Sequence, residues 1–293
     1  MVLRKGFFKN QTHTGCCMSR SDYQRIPKQV FMTTRFPISP VLNSHFNALN
    51  SSNPEYEFYL YNDNQVREYI SENWGDFLTG VYDSIGEEYF PAKIDLWQYL
   101  IIYQKGGVYL DDKSGPVKAL RNLIKPRDRM IISTWGENVT RWKKDYGHKK
   151  GEFTSWCVIS EPKHPMIKCI IVDIIRRIIN SDGLETGKTG VLNLTGPIGS
   201  TTTILENLED MKSEIRILKN TFNRKMYFNA LTKTKKFSRI HESMREKDRL
   251  YSIQKTPIVD VSKVRALVSK YSSGCNHCLE SIIFEISDSK QRC

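Results

Sequence analysis

At 293 residues and 34.1 kDa the chain can bury a full hydrophobic core as one α/β domain, and it is short for two independent enzymes. With 39% hydrophobic and 26% charged residues, 14 Tyr and 13 Phe, the composition is that of an ordinary globular protein and excludes extensive disorder. The formal net charge of +12 suits an anionic partner (a nucleotide diphosphate, a nucleic acid or an acidic membrane surface) and equally a generic basic surface, so charge alone selects no substrate.

Residues 1–25 are polar and mixed and read as a loosely ordered arm. Order is expected from Ile26-Pro27-Lys28, with Gln29 to Thr34 as a short β-prone run. Pro37 and Pro40 end it, and Val41 to Leu49 reads as a helix. Asn53-Pro54 is a turn, and Glu57 to Tyr61 a second strand. Asn62 or Asp63 then caps a helix through Val66, Tyr69 and Ile70, which share one face. A helical stretch from Asp76 to Ser84 and a loop at Gly86-Glu87-Glu88 follow, with Pro91 at the start of the next helix.

That helix, Ala92 to Lys105, is apolar nearly all round, so it must be buried. Asp95 and Gln98 lie within it, three apart on one edge. Gly106, as a left-handed cap, and Gly107 end it, and Val108-Tyr109-Leu110 is a short strand running into Asp111-Asp112-Lys113. Downstream, Met130 to Thr134 and Trp156 to Ser160 read as strands and Pro165 to Ile179 as a strongly apolar helix. Leu192 to Pro197 ends in a turn before a helix from Thr201 to Leu208, and Glu214 to Leu218 reads as a last strand. Residues 223–249 are basic and show no clear pattern; a helical pattern returns through Val264, Leu267 and Val268. The alternation predicts an open, mostly parallel twisted α/β sheet flanked by helices over residues 26–256, a more irregular C-terminal region, and a helical tail over 257–293.

In open α/β sheets ligands sit beyond the carboxyl ends of the strands, and Asp111 and Asp112 follow a strand directly. Carboxylates there suit a hard divalent cation, Mn²⁺ or Mg²⁺, bridging phosphate oxygens and offsetting charge on a diphosphate leaving group. Gly106 and Gly107 are expected to let backbone come close to a bulky ligand. An ionised Asp95 on a buried helix costs several kcal/mol unless partnered; sugar hydroxyls or a salt bridge to the core both supply partners.

The run from Ala92 to Lys113 resembles the signature of glycosyltransferase family 32, a group with a DXD-containing sugar-binding region: a Ser/Ala-Asp-Leu-x-Arg-Tyr helix, a Gly-Gly turn, and Tyr-x-Asp-x-Asp. Ile26-Pro27-Lys28, Asn53-Pro54 to Asp63, Ser160 to Pro165 and Thr195-Gly196-Pro197 are similar to further landmarks in the same order, so the resemblance spans about residues 26–205. It implies a GT-A-like fold and retaining transfer of a sugar from a nucleotide-sugar donor, a UDP- or GDP-sugar, to a hydroxyl of a glycan or lipid-linked acceptor. By position it implies that Asp95 holds a donor-sugar hydroxyl and that Asp111 touches the ribose or sugar and the metal environment, with Asp111 and Asp112 positioning metal and diphosphate. Thr33 and Thr34 would line the nucleotide pocket, with Asp63, Gln98 and Tyr109 bordering it. Thr195, Gly196 and Pro197 would border the donor or acceptor.

Two departures bear on mechanism. Gln98 stands where the family has Arg, making one sugar contact neutral. Lys113 stands where the DXD has its second Asp. In an extended segment Asp111 and Lys113 face one way and Asp112 the other; a slight turn lets Asp112 reach metal, and alternatively Lys113 itself neutralises the diphosphate without metal. These departures also admit a decayed transferase scaffold that only binds sugar nucleotides.

His241 is either a surface histidine in a basic helix or the counterpart of a C-terminal histidine motif that closes the donor site and adds a metal contact. The basic run Lys233 to Arg249 admits a nucleotide, an anionic acceptor or a peripheral membrane contact, with a solvated face as the default. No zinc-finger, RNP-type or helix-turn-helix signature is evident, so nucleic acid is not the expected partner. Seven cysteines at irregular spacing fit no disulfide framework, and Cys275-Asn276-His277-Cys278 lacks a second CxxC for zinc. No stretch approaches the ~18–20 apolar residues of a membrane span. The N-terminus lacks a signal-peptide core, so a cytoplasmic location is expected.

Overall fold

A computed structural model describes residues 24–34, 38–134, 152–218, 226–227 and 255–271. His241, the basic run Lys233 to Arg249 and the Cys275–Cys278 pair lie outside the described residues.

The first half of the chain alternates as its pattern predicts. Strand β1 (Gln29–Thr33) leads to helix α1 (Pro40–Ser52), capped by the Ser39 hydroxyl on the Leu42 amide at 3.2 Å. Strand β2 (Glu57–Tyr61) follows, then α2 (Asp63–Ser84). Asn62 caps α2 in a reciprocal box with Gln65, each side chain bonded to the other's amide at 3.0 Å. Gly75, at φ 76°, breaks the helical geometry, and the second half of α2 turns back so that Arg67 pairs with Asp83 at 2.6 Å. The residues after it, Glu87–Tyr89, form a 3₁₀ turn rather than an open loop. Helix α3 (Phe90–Lys105) then runs to the glycine pair, and β3 (Gly107–Leu110) returns along it.

A two-residue strand β4 (Gly115–Pro116) precedes β5 (Met130–Ser133), β6 (Cys157–Ser160), α4 (Pro165–Ile179), α5 (Gly187–Leu194), α6 (Pro197–Met211) and β7 (Ile215–Leu218). Met226–Tyr227, as β8, pairs with β4, and α7 (Val261–Tyr271) closes the described chain. Helix α5 was not anticipated.

The main sheet has the order β2-β1-β3-β6-β5-β7. β1 runs parallel to β2 and β3, and β5 parallel to β7, whereas β6 is antiparallel to both its neighbours. The sheet is therefore mixed and open, flanked by helices. On one face Phe31, Tyr109, Met130, Ile132 and Val158 meet α2, α3 and α4 in the larger core. On the other, Val30, Met32, Val108, Leu110, Ile131 and Ile159 pack against Leu49 of α1 and against Leu120 and Ile124. Helix α3 is buried almost entirely, with Leu96, Trp97, Leu100, Ile101 and Ile102 at 0% exposure, which its all-round apolar sequence requires.

Residues 256–260 stitch the end of α2 to the start of α5. The Gly86 amide donates to Ile258 O at 2.9 Å, Ile258 to Glu185 O at 2.9 Å, and Asp260 to Ser84 O at 2.8 Å. Helix α7 then lies against α2, Tyr271 meeting Phe77 edge to face at 5.3 Å.

Candidate active site

Because β1, β2 and β3 are parallel and in register, with Met32 opposite both Leu60 and Leu110, their carboxyl ends coincide. Thr33 and Thr34, Tyr61 and Asp111 therefore gather at one edge of the sheet. β6 starts there too, since it runs the other way, and the Asp111 amide donates to Trp156 O at 3.0 Å.

The antiparallel passage of α3 and β3 brings the early turns of α3 to this same edge. Asp95 and Asp111, sixteen positions apart in the chain, thus come near enough for the charge of Asp111 to act on Asp95. Both side chains keep a partly exposed edge, yet the surrounding protein excludes enough water for burial to be the largest influence on each. Burial, reinforced by Asp111, pushes Asp95 up to about 8, while a hydrogen bond from Thr195 Oγ1 to Asp95 Oδ2 at 3.1 Å opposes this. Asp111 is likewise raised by burial; the Tyr109 hydroxyl, donating to its Oδ1 at 2.9 Å, and the charge of Lys113 pull it back.

After Asp111 the chain does not continue extended. The Ser114 amide donates to Asp111 O at 2.9 Å, so Asp112 and Lys113 are the central residues of a β-turn. This corrects the simple alternation expected for an extended segment. The turn is held from below: Ser114 Oγ donates to Asp111 O at 3.0 Å and also lies 3.2 Å from Trp156 O, and His45 Nε2 contacts Ser114 O at 3.1 Å. Nothing in the sequence marked His45 or Ser114; one lies in a helix and the other past the acidic run.

The remaining expected residues lie in four places. Thr33 is buried and hydrogen-bonded to Tyr109, and Thr34, also buried, donates its amide to Tyr61 O at 3.0 Å. Thr195, fully buried, ends α5, and Gly196 caps α6 ahead of Pro197, so the turn between those helices faces Asp95. Gln98 is buried beside Tyr99, one turn along α3 from Asp95. Asp63 is exposed on the first turn of α2, where its charge acts on Tyr82.

Gly106 and Gly107 have a different role from the one expected. They lie at the opposite end of β3 from Asp111, with φ of 64° and 101°. A Cβ on Gly107 would stand 2.6 Å from Gln29 O, and one on Gly106 2.7 Å from the Pro162 nitrogen. The close approach they permit is of backbone to backbone at the chain reversal, not of backbone to ligand.

Hard oxygen donors whose mutual repulsion has only partial compensation fit a divalent cation. Among the described residues no group of three or more His, Cys, Asp or Glu could hold one alone, so the other ligands would be phosphate oxygens and water.

In open α/β sheets ligands bind beyond the carboxyl ends of the strands, which is where these acids and hydroxyls stand. Comparison with known proteins agrees. Residues 39–131 match the family model described as a glycosyltransferase sugar-binding region containing DXD motif. An initiation-specific alpha-1,6-mannosyltransferase of Schizosaccharomyces pombe is 26% identical over 187 residues, 59% of this chain and 46% of that protein. An inositol phosphoceramide mannosyltransferase 3 of the same organism is 38% identical over 71 residues, 24% of this chain and 19% of that one. The chain thus spans less than half the length of these relatives. The UDP-bound glycosyltransferase domain of the YGT toxin superposes over 91% of this chain and 99% of its own, at 9% identity and a TM-score of 0.47. Within the matched segment, residues 39–131, the DXD position is written Asp111-Asp112-Lys113.

Proposed function

We propose that the protein transfers a hexose from a nucleotide-sugar donor to a hydroxyl of a glycan or lipid-linked acceptor, with retention of configuration. The observation that carries this reading is the meeting of Asp95 and Asp111 at the carboxyl ends of β1 to β3, inside the segment that matches the sugar-binding family. Asp95, with Thr195 beside it, accepts hydrogen bonds from donor-sugar hydroxyls. Asp111 and Asp112 face the diphosphate, and Lys113 adds a positive charge at the same turn. Thr33 and Thr34 border the nucleoside.

In the reaction the bond between the anomeric carbon and the phosphate oxygen breaks, and the carbon bonds to the acceptor oxygen. The acceptor proton passes to the departing diphosphate. A Mn²⁺ or Mg²⁺ ion held by Asp111 and Asp112 together with the diphosphate would supply charge neutralisation for that leaving group. What the chain's own side chains contribute is orientation of the sugar through Asp95, which the Thr195 hydroxyl contacts at 3.1 Å.

The test uses the full chain. Thermal shift and transfer assays with GDP-mannose, UDP-glucose and other nucleotide sugars, with and without Mn²⁺, identify the donor; mannose is the first sugar to try because the relatives are named mannosyltransferases. Asp95→Ala and Asp111→Ala abolish transfer while leaving the fold largely intact. Wild-type turnover in either variant refutes the assignment. A chain that binds donor but never transfers it is the sugar-nucleotide-binding scaffold that Gln98 and Lys113 admit.

A further inference from the structure

We propose that Arg177 is a positioning residue for the donor sugar: its guanidinium grips the backbone on both sides of the turn between α5 and α6 and so keeps the Thr195 hydroxyl on Asp95. This rests on the sugar-binding reading of Asp95 given above.

The turn's own bonds run along its backbone, from the Gly196 amide to Val191 O at 2.9 Å and from Ser200 Oγ to Gly196 O at 3.1 Å, and leave its placement against α4 to other contacts. Gly196 caps α6 without a side-chain bond, and Thr195 spends its hydroxyl on Asp95. Arg177 comes from the last turn of α4, outside both helices. Its Nε donates to Leu194 O at 2.8 Å, immediately before Thr195, and its Nη1 lies 3.4 Å from Gly199 O, just after Pro197. The same Nη1 pairs with Asp173, one turn earlier on α4. Asp173 in turn accepts from Thr203 Oγ1 at 2.6 Å, which ties α6 to α4 a turn further on.

The fit is close. A Cβ on Gly199 would stand 2.8 Å from Arg177 Cζ and 2.3 Å from Asn193 O, so a side chain there would displace the guanidinium. Tyr99 links this assembly to the site from the other side, because it bonds to Ser200 of α6 and feels the charges of both Asp95 and Arg177. A basic residue in a last helical turn ordinarily complements the helix dipole from the surface. Arg176 is exposed in that manner; Arg177 is turned inward and half-buried instead. A planar guanidinium can reach two carbonyls and a carboxylate together, and an ammonium cannot reproduce that fork.

The test compares Arg177→Met, which keeps an apolar stem without donors, Arg177→Lys, Thr195→Val and the double variant Arg177→Met with Thr195→Val. Affinities for GDP-mannose and for GDP alone are measured on the full chain, or for UDP-glucose and UDP if the wild type prefers uridine. Hydrogen exchange across residues 192–199 is followed in parallel. Arg177→Met is expected to weaken the nucleotide sugar about tenfold and the bare diphosphate by less than about twofold. Arg177→Lys restores part of the loss, and Thr195→Val adds little to Arg177→Met, because both act through one contact.

Equal weakening of both ligands, or additive effects of the two substitutions, overturns the proposal in favour of general structural support. Should Arg177→Met fail to fold, Arg177→Lys decides: a selective loss toward the sugar nucleotide supports the proposal and an unselective one overturns it. Should the wild type bind no nucleotide sugar, the sugar-binding reading fails on its own. Exchange at residues 192–199 then still decides the grip of Arg177, since unchanged exchange in its variants overturns it.

Discussion

Tyr109 donates its hydroxyl to Asp111 Oδ1 at 2.9 Å, and strand alternation on β3 is what sets the two side chains on one face. That bond favours the ionised acid against the burial that opposes it. Tyr109→Phe removes it with almost no change in volume. Donor affinity at neutral pH is expected to fall by about tenfold, with stability lowered by roughly 1–3 kcal/mol. Calorimetric titration of the nucleotide sugar checks this, and unchanged affinity would show that Asp111 needs no such support.

Asp95 gives a pH dependence with a definite sign. Its folded-state value, pushed up to about 8 from 3.8, means that the folded chain binds more protons than the unfolded one between those two values. Stability therefore declines as pH rises from about 4 to about 8 and is level beyond, if no cation is supplied. Asp95→Asn removes that slope. The variant should gain on the wild type by several kcal/mol at most across this range, as read from denaturant unfolding at successive pH values. A constant difference between the two proteins at all pH values contradicts the assigned environment of Asp95.

The glycine pair supports the chain reversal, so substitution there should act on stability before it acts on ligand binding. Gly107→Ala forces a side chain onto φ 101° and against Gln29 O. A loss of about 2–4 kcal/mol is expected, seen as a lower melting temperature. Gly86→Ala is the control, because φ is −56° and its Cβ would meet only the far end of the exposed Glu88 side chain, whose bond from Thr256 Oγ1 lies at the surface. It should cost less than about 0.5 kcal/mol. Equal melting temperatures for the two variants would contradict this division.

Tyr89 secures residues 256–260 to the rest of the fold. Its hydroxyl donates to Thr256 O at 2.6 Å and accepts from the Gly187 amide at 3.0 Å. Tyr89→Phe leaves both backbone groups unpaired, at a cost of about 2–4 kcal/mol. Faster hydrogen exchange at Gly187 and Ile258, with protection of α3 unchanged, is the expected result.

Local chemistry made much of the fold legible. Helix α4 was readable to its ends because Pro165 starts it and its apolar spacing is unbroken, and β2 because a capping box follows it. Helix α5 was not, since Gly187, Thr189, Gly190 and Asn193 are poor helix formers. Packing imposes that helix: a Cβ on Gly190 would stand 2.6 Å from Ile258 Cδ1, so a small residue is needed where residues 256–260 cross. At the site, Asp95 and Asp111 were legible because one helix–turn–strand unit carries both. His45 and Arg177 were not, for each is a polar residue in a helix whose partners are backbone carbonyls of distant segments. A sequence pattern does not record such partners.

The helix from Phe90, the reversal at Gly106 and the strand ending at Leu110 put two acids at one place using a single stretch of backbone, while Thr195 lies 100 residues beyond Asp95. Closing a short loop is entropically easier than closing a long one. During synthesis the acids can therefore confront one another long before the segment that steadies them has left the ribosome. Arrival of α5 and α6 then brings Asp95 both the enclosure that disfavours its charge and the Thr195 hydroxyl that partly offsets it.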